Sequence, residues 1–275
     1  MELAAGTIHY RDQGPAEGRV VLMVHGFLVD GSLWGDLPDL LAEKGFRAIT
    51  PTWPLGAHPE AMRPGADLSP RGVARLVIEL MVRLDLGDVT LVGNDTGGAI
   101  CQFVIDEDLA RVGRLVLTNC DAFDTFPPFP FDVLFKLARH PRPTRALLRV
   151  MHSARLRRSK LGFGWLVRRR LGDEETAAWV RPYLTDPDVR RDVAAFARTA
   201  HARDLADVAS RLDHFEKPVL LCWAPDDPFF KIALGHRLAD TFPDARLVEV
   251  PGARTFVALD QPGVLAREIE QHANG

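Results

Sequence analysis

The chain has 275 residues, 47% of them hydrophobic, and a formal net charge of −3. That length allows one large domain, or one domain with an insertion. The slight acidity argues against a general nucleic-acid binder, and no apolar run approaches the ~20 residues of a membrane span.

The first ten residues, MELAAGTIHY, have neither a basic head nor an apolar stretch, so no secretion signal is expected. Cys101, Cys120 and Cys222 lie in apolar surroundings and read as buried reduced thiols. No Cys/His spacing resembles a metal site. The expectation is a cytoplasmic protein without metal or cofactor. Its partner would be a small-molecule substrate, with no nucleic acid and no membrane, and its state monomer or homodimer.

Short, nearly all-apolar runs recur along the chain: Arg19–Gly26, Phe46–Thr52, Asp88–Asn94, Gly113–Asn119, Lys217–Ala224 and Ala245–Val250. Strands covered on both faces read this way. Helical patterns fall between and after them at Leu33–Lys44, Pro70–Leu86, Thr96–Asp108, Lys231–Phe242 and Gln261–His272. Alternating β and α units predict a mostly parallel sheet with helices on both faces. The alternation breaks for about ninety residues after Asn119. That stretch has helical apolar periodicity and no clear strand, so it predicts a helical cap over 124–214. The core would then comprise 1–123 and 215–275. Within the cap, Lys136 to Arg170 is rich in Arg and carries no acidic residue. A solvated face is the plain reading, and a groove for an anionic partner is the sharper one.

The chemistry-bearing stretch is Leu91–Ile100, LVGNDTGGAI. A strand runs straight into Gly93-Asn94-Asp95-Thr96-Gly97, and a helix begins at once. This is the setting of a nucleophile elbow with Asp95 where Ser is commoner. The turn would lift Asp95 above the sheet at a helix N-terminus, where a carboxylate is favoured. The plainer reading makes Asp95 a helix cap. His25-Gly26-Phe27-Leu28 follows an earlier strand, where an oxyanion loop belongs. N–H groups there, at Phe27, and at Thr96 would hold developing negative charge. Asp226-Asp227 follow a later strand, and Asp227 has the better spacing for the acid of a triad. Asp121 is a reserve acid, or a turn cap.

With these motifs in order, the sequence resembles the α/β-hydrolase fold over essentially its whole length. The Asp elbow and helical insert make it similar to haloalkane dehalogenases, epoxide hydrolases and fluoroacetate dehalogenases. The resemblance implies that Asp95 attacks an electrophilic carbon to form an ester. A histidine oriented by Asp227 then activates water. That histidine belongs at position 255, one residue before Phe256, and position 255 is Thr.

Two further features depart from the family. Epoxide hydrolases use two cap tyrosines, and here only Tyr183 is placed to serve. Thr96 stands where haloalkane dehalogenases have a halide-binding Trp. Three readings stay open. One is a hydrolase of small apolar substrates with an epoxide, C–halogen or ester centre, using the incomplete set Asp95, Asp227 and Thr255. Another is a cofactor-free lyase, isomerase or cyclase in which Asp95 moves protons. The third is a non-catalytic binder. In each the pocket lies between sheet and cap, walled by Pro128–Phe135 and drawing on His25, Leu28, Trp53, Asn94, Asp121, Trp165, Trp179, Tyr183 and Phe256.

Overall fold

A computed structural model describes residues 1–274. The chain opens with a two-stranded antiparallel ribbon, β1 (Glu2–Leu3) and β2 (Gly6–Thr7). Seven further strands follow: β3 (Tyr10–Gln13), β4 (Arg19–Val24), β5 (Phe46–Pro51), β6 (Val89–Asp95), β7 (Val112–Cys120), β8 (Val219–Trp223) and β9 (Ala245–Glu249). They form one sheet in the order β3-β5-β4-β6-β7-β8-β9. Only β3 runs antiparallel.

The apolar strand runs form strands because alternate side chains are buried on opposite faces. Leu22, Leu91, Leu117 and Leu221 join one core cluster, while Val21, Val92, Val116 and Leu220 join a second. Helices α1 (Leu37–Glu43) and α12 (Pro262–Asn274) cover the second face. Helices α2 (Pro70–Arg83) and α3 (Thr96–Glu107) cover the first. Ser69 starts α2 by accepting from the Gly72 N–H at 3.0 Å, with Pro70 at the first helical position. Helices α10 (Ile232–Thr241) and α11 (Val257–Asp260) complete the C-terminal part. The predicted helix at Leu33–Lys44 is two elements: a 3-10 turn over Gly31–Trp34, closed by Gly35 at φ 51°, then α1.

Between β7 and β8 the chain runs through six α-helices: α4 (Phe131–Ala138), α5 (Pro141–Leu148), α6 (Ala154–Arg157), α7 (Asp173–Thr185), α8 (Pro187–Thr199) and α9 (Ala202–Ala209). Two of the ties between this inserted segment and the sheet region are hydrogen-bonded clusters. At one, Trp179 donates to Ser32 Oγ at 2.8 Å, and Asp260 accepts the N–H groups of Arg168 and Arg169 at 2.8–2.9 Å. At the other, Asp192 of α8 meets His58 in the loop after β5 at 3.3 Å. Among the described residues, no helix is long and apolar enough to cross a membrane.

Candidate active site

Asp95 ends β6 and precedes the first residue of α3, with φ 54° and ψ −132°. Non-glycine residues rarely take a positive φ, and the strain persists only where packing over-determines it. Here the packing is explicit. Gly26 lies against the Asp95 side chain so closely that a Cβ at Gly26 would stand 2.0 Å from Asp95 Oδ2. Only glycine leaves room for the carboxylate. The Phe27 N–H, one residue on, donates to Asp95 Oδ2 at 3.1 Å.

Burial pushes the Asp95 carboxyl up to about 7. The N–H groups of Thr96 and Phe27 pull it back, and the charge of Asp227 pushes it up again. A carboxyl balanced near neutrality at a strained turn is a recognisable mark of a functional site.

Two more carboxyls surround it. Asp121 follows β7, is fully buried, and accepts from Thr96 Oγ1 at 3.2 Å. Burial and the Asp95 charge hold it well above the usual carboxylate range. Its Oδ1 has no hydrogen-bond partner. Asp227 follows β8 and is buried, with Oδ1 accepting from Phe229 N at 2.8 Å and Phe230 N at 3.3 Å. Burial raises it, while those N–H groups and the nearby Thr255 hydroxyl and Asn119 amide lower it. Neither Asp227 Oδ2 nor Thr255 Oγ1 closes a hydrogen bond, although both are buried. Two unsatisfied buried oxygens side by side are uncommon, because each carries a desolvation penalty. The neighbouring Asp226 is exposed and pairs with Arg168.

The cavity in front of Asp95 has a volume of about 120 Å³. Its wall combines Phe27, Leu28, Asp95 and Thr96 from the sheet side with Phe131, Leu134, Phe135, Leu148, Met151, Leu161, Phe163, Leu166 and Val180 from the inserted segment. Asp95 is the one ionisable side chain in that wall. Pro128–Phe135 contributes four of its residues.

The other residues that the sequence placed around the pocket stand elsewhere. His25 is spent on the backbone: it accepts from Trp53 N at Nε2 (2.8 Å), and Nδ1 faces Gly26 O at 2.9 Å. Burial drops its imidazole to about 4, so it is neutral at pH 7. It braces the turn after β4 against Trp53. Trp53 is buried and donates to Met23 O, and Asn94 donates to the Thr255 carbonyl at 2.6 Å behind the elbow. Trp179 packs edge-on against Phe163 and Phe256, and Trp165 against Phe229. Tyr183 is buried, with a hydroxyl that finds no partner. His58 is held by Asp192, and His152 is exposed. Neither therefore supplies an imidazole to Asp95.

Asn119 escaped the sequence reading. It ends β7 and staples the acid turn, accepting from Ala224 N at 2.7 Å and donating to Ala224 O and Phe230 O. Its only sequence signal was a polar residue closing an apolar strand. The wall residues Leu148, Met151 and Leu161 carried no signal, since helix packing alone aims them. No metal-binding group of acidic, His or Cys side chains occurs among the described residues.

Known proteins resemble this chain. A family model described as "Alpha/beta hydrolase family" matches residues 21–268. Haloalkane dehalogenase 2 of Mycobacterium tuberculosis is 30% identical over 278 residues, covering 96% of this chain and 90% of its own. Cis-3-alkyl-4-alkyloxetan-2-one decarboxylase of Xanthomonas campestris is 28% identical over 281 residues, covering 94% and 90%. The crystal structure of haloalkane dehalogenase DbeA from Bradyrhizobium elkani superposes with a TM-score of 0.81 at 18% identity, over 100% of this chain and 96% of the other. That likeness speaks to the fold. The sheet order, the strained elbow and the family match together place this chain in the α/β-hydrolase family, with haloalkane dehalogenase-like homologues.

Proposed function

We propose that this chain is a hydrolase of small, apolar electrophiles, in which Asp95 is the nucleophile and residues 124–214 form a cap over it. The observation that carries this reading is the placing of Asp95. It is the one ionisable group in an apolar wall, strained at φ 54°, with one oxygen fixed by the Phe27 N–H.

The steps follow from that geometry. One Asp95 oxygen attacks an electrophilic carbon, forming a C–O bond as the halide, alkoxide or ring oxygen leaves with its electron pair. The other, Oδ2, becomes the ester carbonyl oxygen, already held by N–H groups. When water attacks the ester carbon, negative charge develops on Oδ2, where the Phe27 and Thr96 N–H groups stabilise it. Asp227 takes the proton from that water, and Thr255 Oγ1 helps hold the water in place. Collapse expels the product as its alkoxide, which recovers the proton. An Asp carboxylate is a weaker base than imidazole at neutral pH, so this second half-reaction is slow.

A second reading is favoured by Thr255 together with the oxetanone decarboxylase relative. On a four-membered lactone, Asp95 attack at the ring carbon bearing oxygen breaks that C–O bond and frees a carboxylate. Loss of CO2 then sends the C–C bonding pair into a C=C bond and expels Asp95 with its electrons. No water is activated, so this route has no need of an imidazole.

Single turnover in 18O-labelled water with a panel of epoxides, haloalkanes, activated esters and oxetan-2-ones separates the routes. Hydrolysis puts label into Asp95, because water attacks the ester carbon. Decarboxylation releases CO2 and leaves Asp95 unlabelled. Absence of product and of any Asp95 adduct across the panel counts against Asp95 as a nucleophile.

A further inference from the structure

Most of the exposed large hydrophobic side chains among the described residues fall in one stretch of the chain. Among the described residues eight large hydrophobic side chains are exposed, and six of them lie between Phe129 and Trp165. They are Phe129 (78% exposed), Val133, Leu147, Val150, Leu161 (79%) and Trp165. The same part of the chain, Lys136 to Arg170, carries twelve Lys and Arg and no Asp or Glu, although the whole chain is −3. Six of those cations (Arg142, Arg145, Arg149, Arg155, Lys160 and Arg170) are exposed and have no carboxylate partner among the described residues. Elsewhere in the chain many arginines are ion-paired, such as Arg71 and Arg211 with Asp106. Exposed apolar side chains interleaved with unpaired cations are the signature of a surface that lies on an anionic bilayer. Arginine and apolar side chains together fit that partner better than nucleic acid, which needs the charge and gains nothing from exposed leucine and valine.

The cavity gives the patch a use. Leu161 belongs both to the exposed patch and to the wall of the Asp95 cavity. The apolar cavity and the apolar patch therefore meet at one residue. We propose that the 129–170 face docks on anionic lipid bilayers and that apolar substrates pass from the bilayer into the cavity past Leu161. Docking does not depend on the chemistry at Asp95.

The test is co-sedimentation of the full chain with phosphatidylcholine vesicles, with and without phosphatidylglycerol. The expected result is binding to the phosphatidylglycerol vesicles alone, weakening as salt is raised. The triple variant Arg142→Glu, Arg145→Glu, Arg149→Glu should lose about 100-fold or more in partitioning, at about fivefold per cation near the surface. Leu147→Ser with Val150→Ser should also weaken binding while the charge stays unchanged. An unaltered thermal transition confirms that either variant is folded. No partitioning onto either vesicle overturns the proposal. So does binding that the Leu147/Val150 pair leaves unchanged and that free RNA abolishes, since the face would then be a polyanion site.

Discussion

His58 and Asp192 form a buried hydrogen-bonded pair, Nε2 to Oδ2 at 3.3 Å, between the loop after β5 and helix α8. The Gly56 N–H donates to His58 Nδ1, so the proton sits on Nε2 and points at Asp192. Asp192 also accepts from Met62 N at 2.7 Å and pairs with Arg191. The same loop touches the oxyanion segment, where the Leu28 N–H donates to Leu55 O at 2.9 Å. The pair therefore joins the inserted segment to the loop that backs Phe27. Removing one partner leaves a buried polar group unpaired, at about 3–5 kcal/mol for a charged one. Asp192→Ala should lower the melting temperature by roughly 6–20 °C, at about 2–4 °C per kcal/mol. His58→Ala should cost less, because Asp192 keeps Met62 and Arg191. Calorimetry on the two variants checks the order.

Gly56 tests the same junction sterically. It has φ +119°, and a Cβ there would stand 2.6 Å from Leu28 Cδ2 and 3.2 Å from Val193 Cγ2. Gly56→Ala combines backbone strain with a clash between α8 and the oxyanion loop. It should destabilise the fold by about 1–3 kcal/mol and slow ester formation at Asp95. Denaturant titration and single-turnover rates measure the two effects.

The Asp95 carboxyl stands at about 7 when folded, against an ordinary 3.8. Two pH dependences follow. As the proposed nucleophile it must be ionised, so the rate of ester formation should rise about tenfold per pH unit below 7 and level off above it. For stability the sign is opposite. The native state binds more protons than the unfolded chain between about pH 4 and 7, so stability falls as pH rises through that window. Asp95→Asn should abolish adduct formation and flatten this fall. It should therefore be more stable than the parent chain above pH 7, by a few kcal/mol at most. Melting curves from pH 4 to 9 on both proteins decide it.

Asp227 raises Asp95 through its charge. Asp227→Asn removes that charge, so the midpoint of the ester-formation profile should move below 7. A midpoint that stays put would mean that burial alone sets it.

Thr255→His offers Asp227 Oδ2 the partner it lacks. For an epoxide or haloalkane substrate, the positioned base should speed release of the Asp95 ester by about 100-fold or more. For an oxetan-2-one, where no water is activated, the same variant should leave the rate of CO2 release near its starting value. Burst kinetics with each substrate reads both.

The sequence by itself determined the strands and the strand-to-helix turn at Asp95, because each is local. Four or five consecutive apolar residues demand cover on both faces, and a Gly-flanked Asp between a strand and a helix has few backbone choices. Thr255, too, was legible there as a hydroxyl residue after the last strand. Tertiary structure decided what those local signals do not encode. His25, Trp53 and Asn94 stand near the elbow in sequence or strand order, yet the His25 ring, the Trp53 indole N–H and the Asn94 amide N–H are engaged by backbone partners. Trp179 faces Ser32 and Phe256 because α7 packs there, and nothing local sets that angle. The cavity wall, which joins Phe27 to Val180, the His58–Asp192 pair, 134 positions apart, and the meeting of Leu161 with both cavity and surface all bring together residues distant in sequence. Such contacts depend on how helices pack on one another, which periodicity leaves open.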